Sequence, residues 1–352
     1  MQCPRLERLG WNDDIARQFE EHATTGLVRG RVTVQHRGTW LVATEESDDL
    51  VGITGRLRHE AGPGELPVVG DWVALRDGLI DEVLARSSKF SRKTPWTEIS
   101  EQVLVANVDV AFLVMGLDER DFKVRRLERY LTTAWEGGAT PVIVLNKADL
   151  ASDLEGQIAE IESVAFGVPL HAVSAETGEG VKGLLPHLAG GRTAALLGSS
   201  GVGKSTIINR LLGEERFRTN EVRADGRGRH TTSHRELVAI PGGGVIIDTP
   251  GLRQLQLWET DGGLDQTFVD IADLIAQCRF SDCGHRTEPG CAVKEALADG
   301  TLPRERWDSY LKLQRELAHL ERKLDPKLKA EERKRWAAVT KSHRQRRKVV
   351  GR

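Results

Sequence analysis

The chain has 352 residues, of which 39% are hydrophobic and 29% charged, and its formal net charge at pH 7 is −2. This is enough apolar material for ordinary cores, which excludes a wholly disordered chain, and at about 100–200 residues per domain the length predicts two or three domains. No apolar run approaches the ~18–20 residues of a membrane-spanning helix, and the N-terminus has no apolar signal region. We therefore expect a cytoplasmic protein with no membrane association.

Charge is distributed unevenly along the chain. Residues 304–352 carry 17 Lys and Arg against 7 Asp and Glu, a net charge of +10, whereas the other residues carry 33 against 45, or −12. A basic end on an acidic body favours a polyanionic partner, most simply nucleic acid, although a charge run alone is usually a solvated helix or tail. Nothing in the basic stretch predicts base-specific contacts, so we expect RNA to be recognised by its shape.

The first part of the chain predicts a small barrel. Residues 1–25 are a polar N-terminal extension with a short helical pattern around Trp11–Phe19, and short strands separated by Gly and Pro follow over residues 26–86. The strand candidates are Leu27–Val34, Thr39–Ala43, Leu50–Ile53, Trp72–Leu75 and Leu79–Leu84. This density of short strands favours an N-terminal OB-fold, although the pattern alone does not separate it from an SH3-like barrel.

Residues 87–102 are basic, polar and aperiodic, and we interpret them as a linker, either a plain solvated connection or one that contacts phosphates. From residue 103 to 262, strands alternate with helices, which is typical of a doubly wound α/β domain with parallel strands covered on both faces. The predicted strands are Val108–Met115, Pro141–Leu145, Leu170–Val173, Thr193–Leu197, Leu237–Ile240 and Val245–Ile247. The predicted helices are Val124–Trp135, Leu154–Phe166, Val181–Leu188 and Lys204–Leu212.

An N-K-x-D motif follows the second of these strands. It consists of Asn146, Lys147, Ala148 and Asp149. The Asp149 carboxylate can accept hydrogens from guanine N1 and N2, a pair that adenine does not offer, so such a site rejects adenine. Lys147 can lay its stem over the base, Asn146 can brace neighbouring loops, and the backbone of Ser174 and Ala175 can cap guanine O6. Alone, the four residues also fit an ordinary helix N-cap, and the phosphate loop favours the nucleotide interpretation.

The phosphate-loop motif G-x-x-x-x-G-K-[ST] is complete. It consists of Gly198, Ser199, Ser200, Gly201, Val202, Gly203, Lys204 and Ser205, with Thr206 next in the predicted helix. The glycines let backbone N–H groups turn inward around phosphate oxygens, and the helix N-terminus adds positive potential. Lys204 can reach the β- and γ-phosphates, and the Ser205 hydroxyl can ligate Mg²⁺. The alternative, a Gly-rich turn between strand and helix, does not explain the full spacing and flanks.

Two further segments are candidates for nucleotide-dependent switches. The motif D-T-P-G ends a predicted strand, so that Asp248 can hold the Mg²⁺ shell through water and the Gly251 N–H can bond the γ-phosphate. Between residues 213 and 237 lies a polar stretch rich in Gly and Arg. A Thr there can complete Mg²⁺ coordination when GTP is bound, and Thr232 is favoured over Thr231.

Three of the four cysteines lie close together with one histidine. The cluster consists of Cys278, Cys283, His285 and Cys291. Three thiolates and one imidazole at this spacing predict a structural, tetrahedral Zn²⁺ site in a reducing compartment rather than a disulfide framework. The alternative is free cysteines in a small core with a surface histidine. We expect residues 263–325 to form a mostly helical zinc-binding domain and residues 326–352 a basic C-terminal tail.

The order of the motifs is unusual, because in ordinary GTPases the phosphate loop precedes the guanine motif. A circular permutation explains it, and such a rearrangement is tolerated where termini lie close together on the surface. With R-H-T-T at residues 229–232 and the cysteine cluster, this order closely resembles the circularly permuted ribosome small-subunit-dependent GTPases, the RsgA or YjeQ family. The resemblance covers about residues 26–300, and Ser233 stands where a third Thr is common.

This resemblance implies a circularly permuted P-loop GTPase that uses GTP, GDP and Mg²⁺, holds one structural Zn²⁺ on all four cluster residues, and acts late in maturation of the 30S subunit on 16S rRNA. We expect a monomer. Leu252 follows the D-x-x-G glycine and cannot orient the attacking water. Candidates for this role are Gln254 by its position and His230 by resemblance to the family's loop histidine.

Two other classes of function remain open from the sequence. One is a GTP-sensing RNA-binding scaffold whose turnover is incidental, and the other is an ATPase or kinase built on the same phosphate loop. The permutation also connects the second switch directly to the cysteine cluster, so we hypothesise that loss of the γ-phosphate reorients the zinc-binding domain.

Overall fold

The computed structural model describes residues 5–23, 26–62, 64–93, 101–118, 120–217, 235–248 and 262–324. The predicted basic tail, residues 326–352, lies outside them. Among the described residues, no helix combines the length and the apolar character needed to cross a bilayer.

Two short helices open the chain, α1 (Arg5–Arg8) and α2 (Asp13–Ala23). The Asn12 side-chain oxygen accepts from the N–H groups of Asp14 and Ile15, which caps α2. The indole ring of Trp11 packs edge-on against Trp72, with ring centroids 5.1 Å apart. The predicted helix around Trp11–Phe19 is therefore confirmed, and it packs onto the first β-structure of the chain.

Five strands follow, as the alternating pattern predicted. They are β1 (Val28–Gln35), β2 (Trp40–Ala43), β3 (Asp48–Val51), β4 (Trp72–Arg76) and β5 (Leu79–Val83), with helix α3 (Gly55–Glu60) between β3 and β4. Strand β1 pairs antiparallel with β2 and β4, β2 with β3, and β4 with β5. A parallel bridge between Ile53 and Ile80 joins the segment after β3 to β5 and closes the ring around an apolar core.

A β-hairpin connects this barrel to the rest of the chain. Strand β6 (Lys89–Lys93) pairs antiparallel with β7 (Glu101–Ala106), so the prediction of an aperiodic linker was wrong for these residues. The segment is polar in sequence, but Phe90 is buried. Its ring lies so close to Gly137 that a Cβ atom there would come within 2.8 Å of it. One buried aromatic side chain thus fixes a strand that hydrophobic periodicity did not show.

The central domain is built on a parallel sheet. Its strands are β8 (Val110–Gly116), β9 (Thr140–Asn146), β10 (Leu170–Ala172), β11 (Thr193–Leu197), β12 (Glu236–Ala239) and β13 (Val245–Asp248). They lie in the order β10-β9-β8-β11-β13-β12, parallel except for β12, which runs antiparallel to β13. Strand β12 also pairs with β1 at Val34 and Glu236, so the sheet continues into the barrel.

Helices cover both faces of this sheet. They are α4 (Val124–Glu136), α5 (Leu154–Glu162), a 3₁₀ helix (Val181–Gly191) and α6 (Lys204–Leu212). Leu127, Leu131 and Ala134 recur at helical spacing and bury one side of α4 against the sheet. The predicted helix over 181–188 is 3₁₀ rather than α, and it contains Pro186, which cannot donate an α-helical hydrogen bond. The doubly wound α/β prediction is confirmed.

The C-terminal module, residues 262–324, is helical. Its helices are α7 (Gly263–Thr267), α8 (Val269–Ala276), α9 (Ala292–Asp299) and α10 (Arg304–Leu324). Phe268, Trp307, Tyr310 and Leu313 form its core together with Cys291 of the predicted zinc cluster. The module packs on α4 of the central domain through α7 and α10.

Candidate functional site

The predicted nucleotide-binding segments meet at one edge of the sheet. Strands β9, β8 and β11 are parallel neighbours, and in such a sheet the loops that follow the strands all emerge at the same edge. The N-K-A-D motif begins at the last residue of β9, the phosphate loop follows β11, Ser174 and Ala175 lie just beyond β10, and Asp248 ends β13. The topology therefore brings together four segments that are spread over residues 146–248 of the chain.

The phosphate loop has the backbone that its glycines predict. Gly201 and Gly203 have φ angles of 79° and 93°, which a residue with a Cβ atom adopts only with strain. The Lys204 ammonium donates to the carbonyl oxygens of Gly198, at 2.8 Å, and Ser199, at 2.6 Å, so it lies against the loop. Ser200 and Gly201 are exposed, while Ser205 and Thr206 are half-buried in the first turn of α6.

Asn146 connects three loops, as its predicted bracing role requires. Its side-chain amide donates to the Val202 carbonyl at 2.7 Å, and its side-chain oxygen accepts from the Ala175 N–H at 2.9 Å. Because Asn146 is buried, water does not compete for these bonds. A Cβ atom on Gly203 would lie 2.2 Å from the Asn146 amide nitrogen. The guanine motif, the phosphate loop and the Ser174–Ala175 loop therefore form one packed unit.

Lys147 has a left-handed backbone, with φ of 65°, and its ammonium contacts two acidic residues that sequence reasoning missed. It donates to Asp118, and Asp121 lies 3.6 Å away. Burial alone would raise the pKa of Asp118, but the bonds from Lys147 and from backbone N–H groups lower it on balance. Asp149 is exposed on the adjoining 3₁₀ helix, Ala148–Leu150. The lysine stem is thereby held in place beside the predicted base site.

Two arginines at this edge were also missed. Arg210 on α6 donates to the carbonyl oxygen of Ala175 at 2.9 Å. Arg126 on α4 donates to the Ser199 hydroxyl at 2.7 Å, within the phosphate loop. Ser174 is buried and accepts from the Thr177 N–H at 3.2 Å. The signal for these contacts in the sequence is weak, because the partners are far apart along the chain and arginine is common on helix surfaces.

The predicted switch and catalytic residues are only partly within the described chain. Asp248 is half-buried at the end of β13, where it pairs with Glu236 in the ladder. The remaining candidates lie outside the described residues: His230, Thr231, Thr232, Gly251 and Gln254.

The predicted metal ligands come together in the C-terminal module. The candidate ligand atoms of Cys278, Cys283, His285 and Cys291 all lie within 4.8 Å of one another. The Cys278 and Cys291 sulfurs are 3.9 Å apart and lie 3.6 and 3.5 Å from His285 Nδ1. A tetrahedral zinc ion with bonds of about 2.3 Å to sulfur and about 2.0–2.1 Å to nitrogen separates its ligands by about 3.5–3.8 Å. The donor set and its spacing therefore fit Zn²⁺.

Glu288 organises the loop that carries His285, and sequence reasoning missed it. Its carboxylate accepts from the N–H groups of Gly284, Arg286 and Thr287 at 3.1, 2.7 and 2.8 Å. Backbone N–H groups, its own first, lower the pKa of Glu288 to about 2. The carboxylate is thus ionised at neutral pH and fixes the loop, which also needs a left-handed backbone at His285, with φ of 55°.

This arrangement defines a circularly permuted GTPase, since the guanine motif comes before the phosphate loop in the chain but beside it in the fold. A family model described as RsgA GTPase matches residues 83–258. The chain is 47% identical over 364 aligned residues to the small ribosomal subunit biogenesis GTPase RsgA of Opitutus terrae, covering 99% of each. It is 49% identical over 319 residues to RsgA 1 of Oceanobacillus iheyensis, covering 88% of this chain and 91% of the relative.

Solved structures give the same result. The crystal structure of YjeQ from Thermotoga maritima superposes with a TM-score of 0.63 at 30% identity, covering 83% of this chain and 99% of that one. YloQ, described as a circularly permuted GTPase, gives a TM-score of 0.59 at 25% identity, covering 83% and 96%. The chain belongs to the RsgA family and is a GTP hydrolase. The predicted family, permutation and enzyme class are confirmed.

Proposed function

We propose that this GTPase acts in maturation of the small ribosomal subunit, where contact with the subunit stimulates hydrolysis of GTP to GDP and phosphate. The observation that carries the proposal is the packing by Asn146 of the guanine motif against the phosphate loop, in a chain whose relatives are named small ribosomal subunit biogenesis GTPases. A site of this kind recognises both ends of one guanine nucleotide.

We assign the guanine base to Asn146, Lys147, Ala148 and Asp149 with Ser174 and Ala175, and the phosphates to residues 198–206. In this assignment the exposed Asp149 carboxylate would accept hydrogens from the base, and Lys147, which donates to Asp118, would lie along it. Lys204 exchanges its present carbonyl partners for phosphate oxygens. Ser205, Thr232 and Asp248 would hold Mg²⁺, which offsets phosphate charge when bound, and the Gly251 N–H would bond the γ-phosphate.

Hydrolysis needs a group that positions water for attack on the γ-phosphorus, while the bond to the β–γ bridging oxygen breaks and GDP leaves. Leu252 cannot supply it, so we assign the role to His230, with Gln254 as the alternative in the same region. We expect slow turnover in isolation and faster turnover on the subunit, because Leu252 stands where many GTPases carry the Gln that orients the attacking water.

We propose that Cys278, Cys283, His285 and Cys291 hold one structural zinc ion. The support is the ligand spacing and the closed set of four donors, which leaves no position for a substrate. Bound there, the ion supplies folding energy to a module whose core includes Cys291.

We assign the N-terminal barrel to the OB-fold rather than the SH3-like class. The strand order β1-β2-β3-β5-β4-β1, the parallel contact of β3's extension with β5 and the helix between β3 and β4 support this. OB-folds bind oligonucleotides, so the barrel, the zinc module and basic residues 326–352 are the proposed contacts to 16S rRNA. We propose that the protein acts as a cytoplasmic monomer.

The test is GTP turnover measured with isolated 30S, 50S and 70S particles. We expect slow GTP hydrolysis by the protein alone and strong stimulation by 30S particles. With ATP as substrate we expect no hydrolysis. Lys204→Ala is the control and should abolish turnover in every mixture. Equal GTP turnover with and without 30S particles would refute the proposal. Release from 30S in the presence of a non-hydrolysable GTP analogue as fast as with GTP would favour the RNA-binding scaffold instead.

A further inference from the structure

Helix α4 contacts both the phosphate loop and the C-terminal module. Near its beginning, Arg126 donates to the Ser199 hydroxyl of the phosphate loop at 2.7 Å. Two residues further, Glu128 accepts from Arg306 of α10 at 2.7 Å, and the next residue, Arg129, donates to both carboxylate oxygens of Glu316 at 2.8 and 2.7 Å. These contacts join segments separated by more than seventy residues in every case.

The C-terminal module packs closely against α4. The buried Arg306 guanidinium is bonded to Glu128 and, through two nitrogens, to Asp270 of α8 at 2.8 and 3.1 Å. Further along, the hydroxyls of Thr132 and Thr267 lie 3.1 Å apart. Gly263 is so close that a Cβ atom there would lie 2.9 Å from the Thr132 carbonyl oxygen. Buried ion pairs and backbone contact therefore pack α4 and the module together as one body, although the opposite side of α4 stays buried against the central sheet.

Ser199 is the point at which a nucleotide can act on this body. Its carbonyl oxygen accepts from Lys204 at 2.6 Å, while its hydroxyl accepts from Arg126. Phosphates that enter the loop compete for the Lys204 ammonium and so change the bonding of Ser199. Arg126 also lies 3.6 Å from Asp121, which contacts Lys147 of the guanine motif. Both ends of the nucleotide site therefore reach α4 through side chains.

We propose that α4 couples nucleotide binding to the C-terminal module, with Arg126 as the positioning residue that transmits the state of the phosphate loop. The inference rests on the proposed nucleotide site. It supplies a route that is separate from the chain connection between β13 and the module, residues 249–261. Coupling between two sites is reciprocal, so whatever binds the module also changes the affinity of the phosphate loop for nucleotide.

Hydrogen exchange tests the proposal on the full-length protein. Amide exchange in α10 is measured without nucleotide, with GDP and Mg²⁺, and with a non-hydrolysable GTP analogue and Mg²⁺. Coupled sites typically influence each other by about 5-fold or more, so we expect nucleotide to change α10 exchange rates by at least that factor. In Arg126→Met, measured at nucleotide concentrations that saturate the variant, the response of α10 should disappear.

Two variants separate transmission from a general effect on the helix. Arg125→Met removes the neighbouring, exposed arginine of α4 and should respond as the unaltered protein does. Arg126→Lys retains one cationic donor for Ser199 and should restore part of the response. Nucleotide affinity is measured in parallel with a fluorescent GDP analogue.

The possible outcomes test the coupling through Arg126 and the proposed nucleotide site separately. An unchanged α10 response in Arg126→Met at saturating nucleotide overturns the coupling role of Arg126. The same holds if nucleotide binds the unaltered protein without changing α10 exchange. Failure of the unaltered protein to bind guanine nucleotide overturns the proposed function itself, and the coupling with it.

Discussion

Two buried arginines join the flanking parts of the protein to the central domain, and they do so differently. Arg31 of the barrel lies 4.6 Å from the centre of the Trp72 ring, and Arg306 of the C-terminal module lies 4.3 Å from that of Phe268. Arg31 donates to oxygen atoms of neutral groups, among them the Thr193 hydroxyl at 2.7 Å. Arg306 instead meets the carboxylates of Glu128 and Asp270.

We call the contacts of Arg31 and Arg306 the barrel joint and the module joint, and these two joints also differ in where they lie on the central domain. Thr193 begins β11, at the end of the strand opposite to the phosphate loop. Glu128 lies on α4, two residues from Arg126, which donates to Ser199. Burial lowers the pKa of Arg31 to about 10, with Asp109 and Asp71 partly opposing it, so this arginine remains charged at neutral pH. The barrel is thus anchored away from the nucleotide edge, whereas the module is anchored on an element that touches it.

Removal of the metal should have the largest effect on stability, and it should affect the C-terminal module without affecting the barrel. We expect chelation to unfold the C-terminal module, because structural zinc commonly supplies about 10–16 kcal/mol of apparent binding energy, while the barrel stays folded. Hydrogen exchange of residues 263–324 and 28–83 measures both, with metal analysis to establish removal. Retained protection of α8 and α9 in metal-free protein would contradict a structural zinc site.

Replacement of the charge-paired arginine should have the next largest effect. Arg306→Met leaves the buried Glu128 carboxylate without its cation, and the expected loss of stability is about 3–5 kcal/mol. Urea denaturation followed by tryptophan fluorescence measures it. The matched control is the double variant Arg306→Met/Glu128→Gln, which removes both charges and should be more stable than the single variant. If the double variant is no better, the penalty does not come from an unpaired carboxylate.

The equivalent change at the barrel should cost less. Arg31→Met leaves carbonyl and hydroxyl acceptors unsatisfied, and we expect a loss of about 1–3 kcal/mol. The same denaturation experiment gives the value. A loss equal to or greater than that of Arg306→Met would show that the two joints do not differ as their chemistry indicates.

Between pH 7 and 5 the loss of stability should be small and should come from a histidine pair in the central domain. His171 and His187 face each other with Nε2 atoms 2.8 Å apart, and burial lowers the pKa of both, with His171 and Arg192 adding to the effect on His187. Lowered histidine pKa values mean stability that is complete above pH ~6.5 and is lost as pH falls below it. Since both rings are partly exposed, we expect less than about 1 kcal/mol between pH 7 and 5. His171→Gln should reduce this fall, and an unchanged pH dependence of the denaturation midpoint would exclude the pair.

The elements and motifs that could be predicted are those whose structure depends on residues close together in the sequence. The run Val110–Gly116 is apolar because both its faces are buried, and the glycines at 201 and 203 occur because the loop needs left-handed backbone. The cysteine cluster was recognised for the same reason, since all its donors lie within one short segment.

Contacts between distant segments could not be predicted. Arg126 and Ser199 are 73 residues apart, and Arg306 and Glu128 are 178 apart. In the sequence Arg126, Glu128 and Arg306 are ordinary charged residues on helical patterns, and their burial depends on which surfaces meet in the fold. Strand β6 was missed for a related reason. Phe90 is its one large apolar residue, and the burial of the Phe90 ring depends on the close approach of Gly137.

The close approach of Gly203 to Asn146 also limits how this protein can be re-engineered. Any side chain on Gly203 would overlap the amide that fastens the neighbouring loops. A designer who changes the phosphate loop must therefore keep glycine at this position, or redesign Asn146 with it. A side chain at position 203 would thus disturb the guanine motif as well as the phosphate loop, because Asn146 belongs to the first and is bonded to the second.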